Sequence, residues 1–200
     1  RRQRQMCIRD RMQLMGLLEV MPGLSEARVF DIRSDAGRSF LDFAESICPR
    51  GFSIEVADSA RSAVMDADIV VTTTPSRKPI VMSDWIGDGV HFNCMGADAP
   101  GKQELDPEIL RRASKIVVDD LEQAIHGGEV NVPIRSGIIR REDIYGELGE
   151  IIAGFKKGRE SHDELTVFAS TGLAIQDAVT ANLAYRKALE RGLGVYLDLV

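Results

Sequence analysis

"DIVVTTT" occupies residues 68–74, where one acid precedes an unbroken run of β-branched residues. Strict alternation of apolar and polar residues would mark a strand with one wet face. A continuous β-branched run instead reads as a strand buried on both faces, the kind found in parallel sheets covered by helices on each side. Working outward, "FSIEVA" (52–57) and "ARVFDI" (27–32) precede it as strands, and "VHFNCMG" (90–96), "KIVVDD" (115–120) and "LTVFAS" (165–170) follow it.

Helical patterns fill the spaces between these runs. "MQLMGLLEVM" (12–21) has helical apolar spacing closed by Pro22-Gly23, and residues 34–48 carry Phe40, Phe43, Ala44 and Ile47 on one face. "SARSAVMDA" (59–67) offers Ser59 as an N-cap, and "DPEILRRA" (106–113) combines an Asp cap with proline at the first helical position. Residues 142–155 also read as helical, as do residues 174–192, which carry an apolar stripe through Ile175, Ala178, Val179, Leu183 and Leu189. Strands alternating with helices predict an α/β fold, a Rossmann-like doubly wound parallel sheet.

Composition narrows the class. The chain has 200 residues, 44% apolar and 28% charged, with a net charge of −6. That suits a globular domain with a substantial core and disfavours a nucleic-acid partner. No apolar run approaches a membrane span and no secretory signal is visible. Cys7, Cys48 and Cys94 are widely spaced, which predicts a reduced, cytoplasmic protein without a zinc site. His91, His126 and His162 share no metal-like spacing and are expected to be structural or exposed. The first eleven residues hold five arginines and one aspartate. They are expected to be a non-native or disordered start, with a basic arm as the other reading.

In an open α/β sheet, ligands bind beyond the carboxyl ends of the strands. Polar clusters fall there: Asp31, then Thr72–Thr74, then Gly96–Lys102, then Ser170–Gly172. An acid at the position of Asp31 either closes a strand-end turn or grips the ribose hydroxyls of NAD and repels the 2′-phosphate of NADP. Asp98 and Lys102 flank Ala-Pro-Gly on a turn. They read either as a surface ion pair or as two charges held toward a ligand at low entropic cost. The glycine-rich turn that should open the first helix and cradle a pyrophosphate is absent.

The blocks "ADIVVTTTPSRKPIV", "HFNCMGADAPGKQELDPEIL", "IVVDDLEQAIHGGEVNVP", "DIYGELGEIIAG" and "TVFASTGLAIQDAVTA" together resemble the ornithine cyclodeaminase/mu-crystallin family, most closely its archaeal-type NAD-dependent alanine dehydrogenase branch. The likeness spans residues 12–200. It implies a two-domain, usually dimeric subunit with NAD as cofactor and a small amino acid as substrate: residues 12–163 are expected to form the NAD-binding domain, and 164–200 a strand and helix packing toward a substrate and dimerisation domain. By resemblance, Asp98 is the catalytic residue. Asp31, Thr74, Gly96, Ala97, Lys102 and Ser170 bind the cofactor, and Thr171 contacts substrate. No metal is implied.

Two departures qualify that picture. Gln5, Cys7 and Arg9 stand where the family carries Gly-x-Gly-x-Gln, and the family's N-terminal substrate lysine and arginines have no counterpart. The expectation is therefore a C-terminal fragment, inactive alone, of an enzyme that oxidatively deaminates L-alanine to pyruvate and ammonium. The alternatives are an ornithine cyclodeaminase, which makes L-proline while recycling NAD, and a non-catalytic mu-crystallin-like binder.

Overall fold

A computed structural model describes residues 2–195 and 197, with side chains from residue 8 onward. Expectations resting on the side chains of Gln5 and Cys7, or on residues 196 and 198–200, lie outside the described residues. The order is α1 (Arg2–Val20), β1 (Glu26–Val29), α2 (Ser34–Ile47), β2 (Ser53–Val56), α3 (Ala60–Val64), β3 (Ile69–Thr72), β4 (His91–Cys94), α4 (Pro107–Arg112), β5 (Lys115–Val118), α5 (Leu121–Gly127), α6 (Asn131–Arg135), β6 (Gly146–Glu147), α7 (Leu148–Ile152), β7 (Thr166–Ala169) and α8 (Ala174–Glu190). α1 runs through residues 2–11 without a break.

Side-chain caps open three of the helices. The Ser59 hydroxyl accepts from the Ser62 amide at 3.1 Å and opens α3. The Asp106 carboxylate accepts from the Glu108 amide at 3.0 Å, with Pro107 in the first turn of α4. Asp120 caps α5 through the Gln123 amide at 2.8 Å. Each satisfies a donor that the helix itself cannot.

All strands are parallel, as the fold class requires, but they form two sheets. β1 pairs with β2, and the larger sheet runs β3-β4-β7-β5-β6. β7 hydrogen-bonds to β4 on one side and β5 on the other. The strand after residue 163 therefore lies inside the larger sheet. Phe92, Leu105, Ile109, Leu110, Ile116 and Val118 form the fully buried centre between sheet and helices.

The opening heptad also needs correcting. Val70 and Thr72 are buried, whereas Ile69 and Val71 are half-buried. β3 is the edge of the larger sheet, and its free edge faces the free edge of β1 across a cavity of about 400 Å³. Consecutive residues 25–30 and 66–74 line that cavity. Successive side chains alternate between faces, so lining by every residue means that the strand edges themselves border the space. Full burial along a strand occurs instead at β5, where all four residues are buried.

Residues 142–155, expected to be helical throughout, break into a 3-10 turn, β6 and the short α7. β6 pairs with Val117 and Val118, so the edge of the sheet claims residues that helical periodicity had assigned elsewhere. α8 begins where expected, ends two residues earlier, and buries none of its residues: Ile175, Val179, Leu183 and Leu189 are exposed. No helix among the described residues is long and apolar enough to cross a membrane.

Candidate active site at the carboxyl rim of the sheet

Because the strands are parallel, their carboxyl ends open on one rim. Asp31 follows β1, Thr73 and Thr74 follow β3, residues 95–106 follow β4, and Ser170–Gly172 follow β7. β3, β4 and β7 are adjacent, so their three loops are neighbours.

The loop after β4 is the most constrained. Gly96 is buried, and a Cβ there would lie 2.2 Å from the Thr74 carbonyl oxygen and 2.5 Å from the Glu104 carboxyl carbon. Only glycine allows that approach. Gly101 turns the chain with φ +76°, and its amide donates to Asn131 Oδ1 at 2.9 Å. Asn131 Nδ2 donates to the Lys102 carbonyl at 3.0 Å and also to that of Gly128. The turn is thus stapled to the start of α6.

Asp98 sits at its tip between two cations. Lys102 Nζ donates to Oδ1, and Arg9 Nη2 donates to Oδ2 at 2.9 Å. Arg9 Nη1 also donates to the Met95 carbonyl at 2.8 Å, fixing α1 against this loop. Desolvation pushes the Asp98 carboxyl up, but the hydrogen bonds and charges of Lys102 and Arg9 outweigh it and hold the group below the usual carboxylate range. Asp98 is therefore ionised at neutral pH.

The remaining expected residues have partners of their own. Asp31 Oδ1 accepts from the Arg33 amide at 2.8 Å, so this acid closes a strand-end turn while its second oxygen has no hydrogen bond among the described residues. Thr74 Oγ1 accepts from the Ser76 amide at 3.3 Å, and its own amide donates to Glu104 Oε1. Ala97 is buried beside Gly96. Ser170 Oγ donates to Asp119 Oδ2 at 2.9 Å and Thr171 Oγ1 to Asp119 Oδ1 at 3.0 Å, so both hydroxyls are anchored to the end of β5.

Several residues with a part in this rim were missed in the sequence. Asp119 accepts, besides those two hydroxyls, the amides of Thr171 at 2.8 Å and Gly172 at 2.7 Å. It lies directly after β5, where the same strand-end rule that singled out Asp31 would have found it. Glu104 and Glu129 are fully buried carboxyls that accept backbone amides of the rim loops, and no sequence spacing marks them. Asp10, on α1, accepts from the Thr73 hydroxyl at 2.5 Å and lies near enough to Asp31 for the two charges to oppose each other. Desolvation raises the Asp10 carboxyl, and the bond from Thr73 partly offsets that.

Desolvation also pushes Glu129 up to about 8, against the amide bonds from Leu105 and Glu104 that favour its ionised form. Below the ordinary value of 4.5 both folded and unfolded chains hold this proton, and from there to about 8 only the folded chain does. Stability from this group is therefore present in full at low pH and is lost as pH rises toward 8. Glu129→Gln, which keeps a neutral acceptor, is expected to flatten that dependence. Urea unfolding between pH 6 and 9 checks it: the wild type should lose about 1.4 kcal/mol per pH unit over the lower part of the range, the variant much less. Parallel curves would contradict the assignment.

Among the described residues no cluster of three or more His, Cys, Asp or Glu side chains could hold a metal ion. The parallel two-part sheet with a polar carboxyl rim defines a Rossmann-like α/β protein. The sequence profile of the ornithine cyclodeaminase/mu-crystallin family matches residues 8–192, and the chain belongs to that family. It is 50% identical over 171 residues to the alanine dehydrogenase of Archaeoglobus fulgidus, covering 86% of this chain and 51% of that enzyme. An archaeal alanine dehydrogenase dimer with bound NAD superposes with a TM-score of 0.86 at 48% identity, over 94% of this chain and 57% of that one. The Δ1-pyrroline-2-carboxylate reductase of Thermococcus litoralis, in complex with NADH and L-proline, gives 0.88 at 39% identity, over 94% and 57%. The chain spans about half the length of the relatives it matches.

Proposed function

We propose that this chain is the dinucleotide-binding part of an NAD-dependent enzyme that oxidises the α-carbon–nitrogen bond of a small amino acid, L-alanine foremost, giving pyruvate and ammonium. The observation that carries the reading is Asp98, an ionised carboxylate bracketed by Lys102 and Arg9 on the loop between those that bear Thr74 and Ser170. A developing iminium is positive, and a fixed carboxylate at that place stabilises it and takes up a proton from attacking water.

The rim suits a dinucleotide in part. An acid follows β1, a glycine that admits no Cβ follows β4, and neutral hydroxyls follow β3 and β7. The start of α1 does not suit one, since it is helical from Arg2 and carries no glycine before Gly16. The phosphate-binding turn, and a strand to fill the space between β1 and β3, are proposed to come from polypeptide outside this chain, together with the substrate lysine and arginines. Nicotinamide, when bound, supplies the hydride acceptor. This chain's own residues position it: Asp31 toward the adenosine ribose, Thr74, Gly96, Ala97 and Lys102 along the middle, Ser170 at the nicotinamide side and Thr171 toward substrate. The exposed stripe of α8 is proposed to pack on the second domain or on a second copy in a homodimer, which sedimentation of the whole protein would reveal.

A second reading is the reduction of a cyclic imine such as Δ1-pyrroline-2-carboxylate, favoured by the likeness to the Thermococcus litoralis reductase. It asks the same of Asp98 with the proton moving the other way. The ornithine cyclodeaminase reading combines both directions. Assays of the whole protein separate them. Net NADH from L-alanine supports the first, NADH consumption with the cyclic imine the second, and proline from ornithine without net NADH the third. Binding of NADH with no turnover would leave the mu-crystallin-like binder.

A further inference from the structure

Two carboxyls lie fully buried behind the rim, and none of the ion pairs among the described residues includes either. Glu104 Oε1 accepts from the Thr74 amide and Oε2 from the Gly96 amide at 3.0 Å. One side chain therefore bridges the loop after β3 and the loop after β4. The backbone that carries it is itself held: Glu129 Oε1 accepts from the amides of Glu104 at 2.9 Å and Leu105 at 2.7 Å, and the amides of Ile80 and Val81 donate to the Glu104 carbonyl at 2.7 and 3.2 Å. The Thr72 hydroxyl is buried between Glu104 and Cys94, close enough to favour the ionised form of either, though neither contact has the geometry of a full hydrogen bond.

We propose that Glu104 is a positioning residue and a proton-operated clamp: as a carboxylate it accepts both amides and fixes the spacing of the Thr74 and Asp98 loops, and on protonation it releases one of them. An ionised carboxylate has acceptors on both oxygens, whereas the protonated form turns one oxygen into a donor. That O–H can no longer face a backbone N–H. The Thr72 hydroxyl, which favours the carboxylate as a donor, can turn and accept from that O–H. The titratable groups facing Glu104 are Glu129, from the segment before α6, and Cys94, at the end of β4. Desolvation raises all three, the most buried thiol well above its ordinary value. Of the two acids, Glu129 keeps its proton through neutral pH, so it adds no negative charge beside Glu104 there.

The clamp stands on the two amide bonds to one carboxylate, with desolvation setting the direction of its titration; its consequence for cofactor binding rests on the function proposed above. The test separates the two. Amide 1H–15N shifts of Thr74 and Gly96, followed against pH in this chain, should move together through one transition above the usual carboxylate range. In Glu104→Gln that transition should vanish, because the amide side chain presents one donor at every pH. Glu104→Asp keeps the charge but is too short to reach both amides, so it should restore at most one of the two shifts. Strand interiors such as Val70 and Phe92 should keep their shifts in each variant, showing that the fold survives. In the whole protein, Glu104→Gln should weaken NADH binding about tenfold, and wild-type binding should weaken over the pH range of the amide transition.

Independent movement of the two amides, a transition that persists in Glu104→Gln, or full rescue by aspartate would overturn the clamp. Wild-type protein that binds no NADH, with the amide transition intact, would instead overturn the functional reading and leave the clamp standing.

Discussion

Asp98→Asn, introduced into the whole protein, is expected to lower turnover with L-alanine about 1,000-fold while NADH binding changes less than about threefold. Asparagine preserves volume and one carbonyl acceptor, so the turn through Pro100 and Gly101 has no reason to move. What disappears is the negative charge between Lys102 and Arg9. Two cations then face a cationic intermediate with nothing between them, and no group at that position can take the proton from water. In the wild type, both cations hold the Asp98 carboxyl below its ordinary value despite desolvation. Its ionised form therefore persists to lower pH than an ordinary aspartate, and any stability it confers is lost only as pH falls through that depressed value. Steady-state rates beside an NADH fluorescence titration measure both halves. A variant with unchanged kcat would remove Asp98 from the chemistry.

The second large effect concerns stability. Asp119→Ala strips one acceptor from four donors, namely the Ser170 and Thr171 hydroxyls and the Thr171 and Gly172 amides. The hydroxyls and the exposed Gly172 amide can turn to water, whereas the half-buried Thr171 amide does so less well and the buried place of Asp119 is left empty. Losing four charge-assisted hydrogen bonds, partly replaced by water, costs about 2–4 kcal/mol in total. For a chain of this size that lowers Tm by roughly 5–15 °C. Asp119→Asn should fall between the two, since it retains one oxygen but turns an N–H₂ toward the amides. Thermal unfolding followed by circular dichroism decides it, and an alanine variant melting within about 2 °C of the wild type would contradict the role.

Six of the seven strands were legible because β-branched runs and turn residues mark them locally. β6 was not, since two residues leave no periodic signal and its pairing with Val117 and Val118 is a tertiary event. Strand order was equally hidden: nothing in "LTVFAS" says that it lies between β4 and β5. The rim acids divide the same way. Asp31 and Asp98 stand out because strand ends and proline-glycine turns are local features. Glu104 and Glu129 act through amides 8–30 residues away, a relation that exists only once the chain has folded. Asp119 directly follows β5, so its place at the rim is as local a feature as that of Asp31. The full burial expected at residues 68–74 failed because β3 is an edge strand, a matter of neighbours rather than of composition.

The decisive measurement is absorbance at 340 nm, recorded for the whole protein with NAD and L-alanine. It should rise steadily, matched one-for-one by pyruvate, and Asp98→Asn should abolish the rise. A flat trace with L-alanine and L-proline alike, from protein that binds NADH, would overturn the assignment.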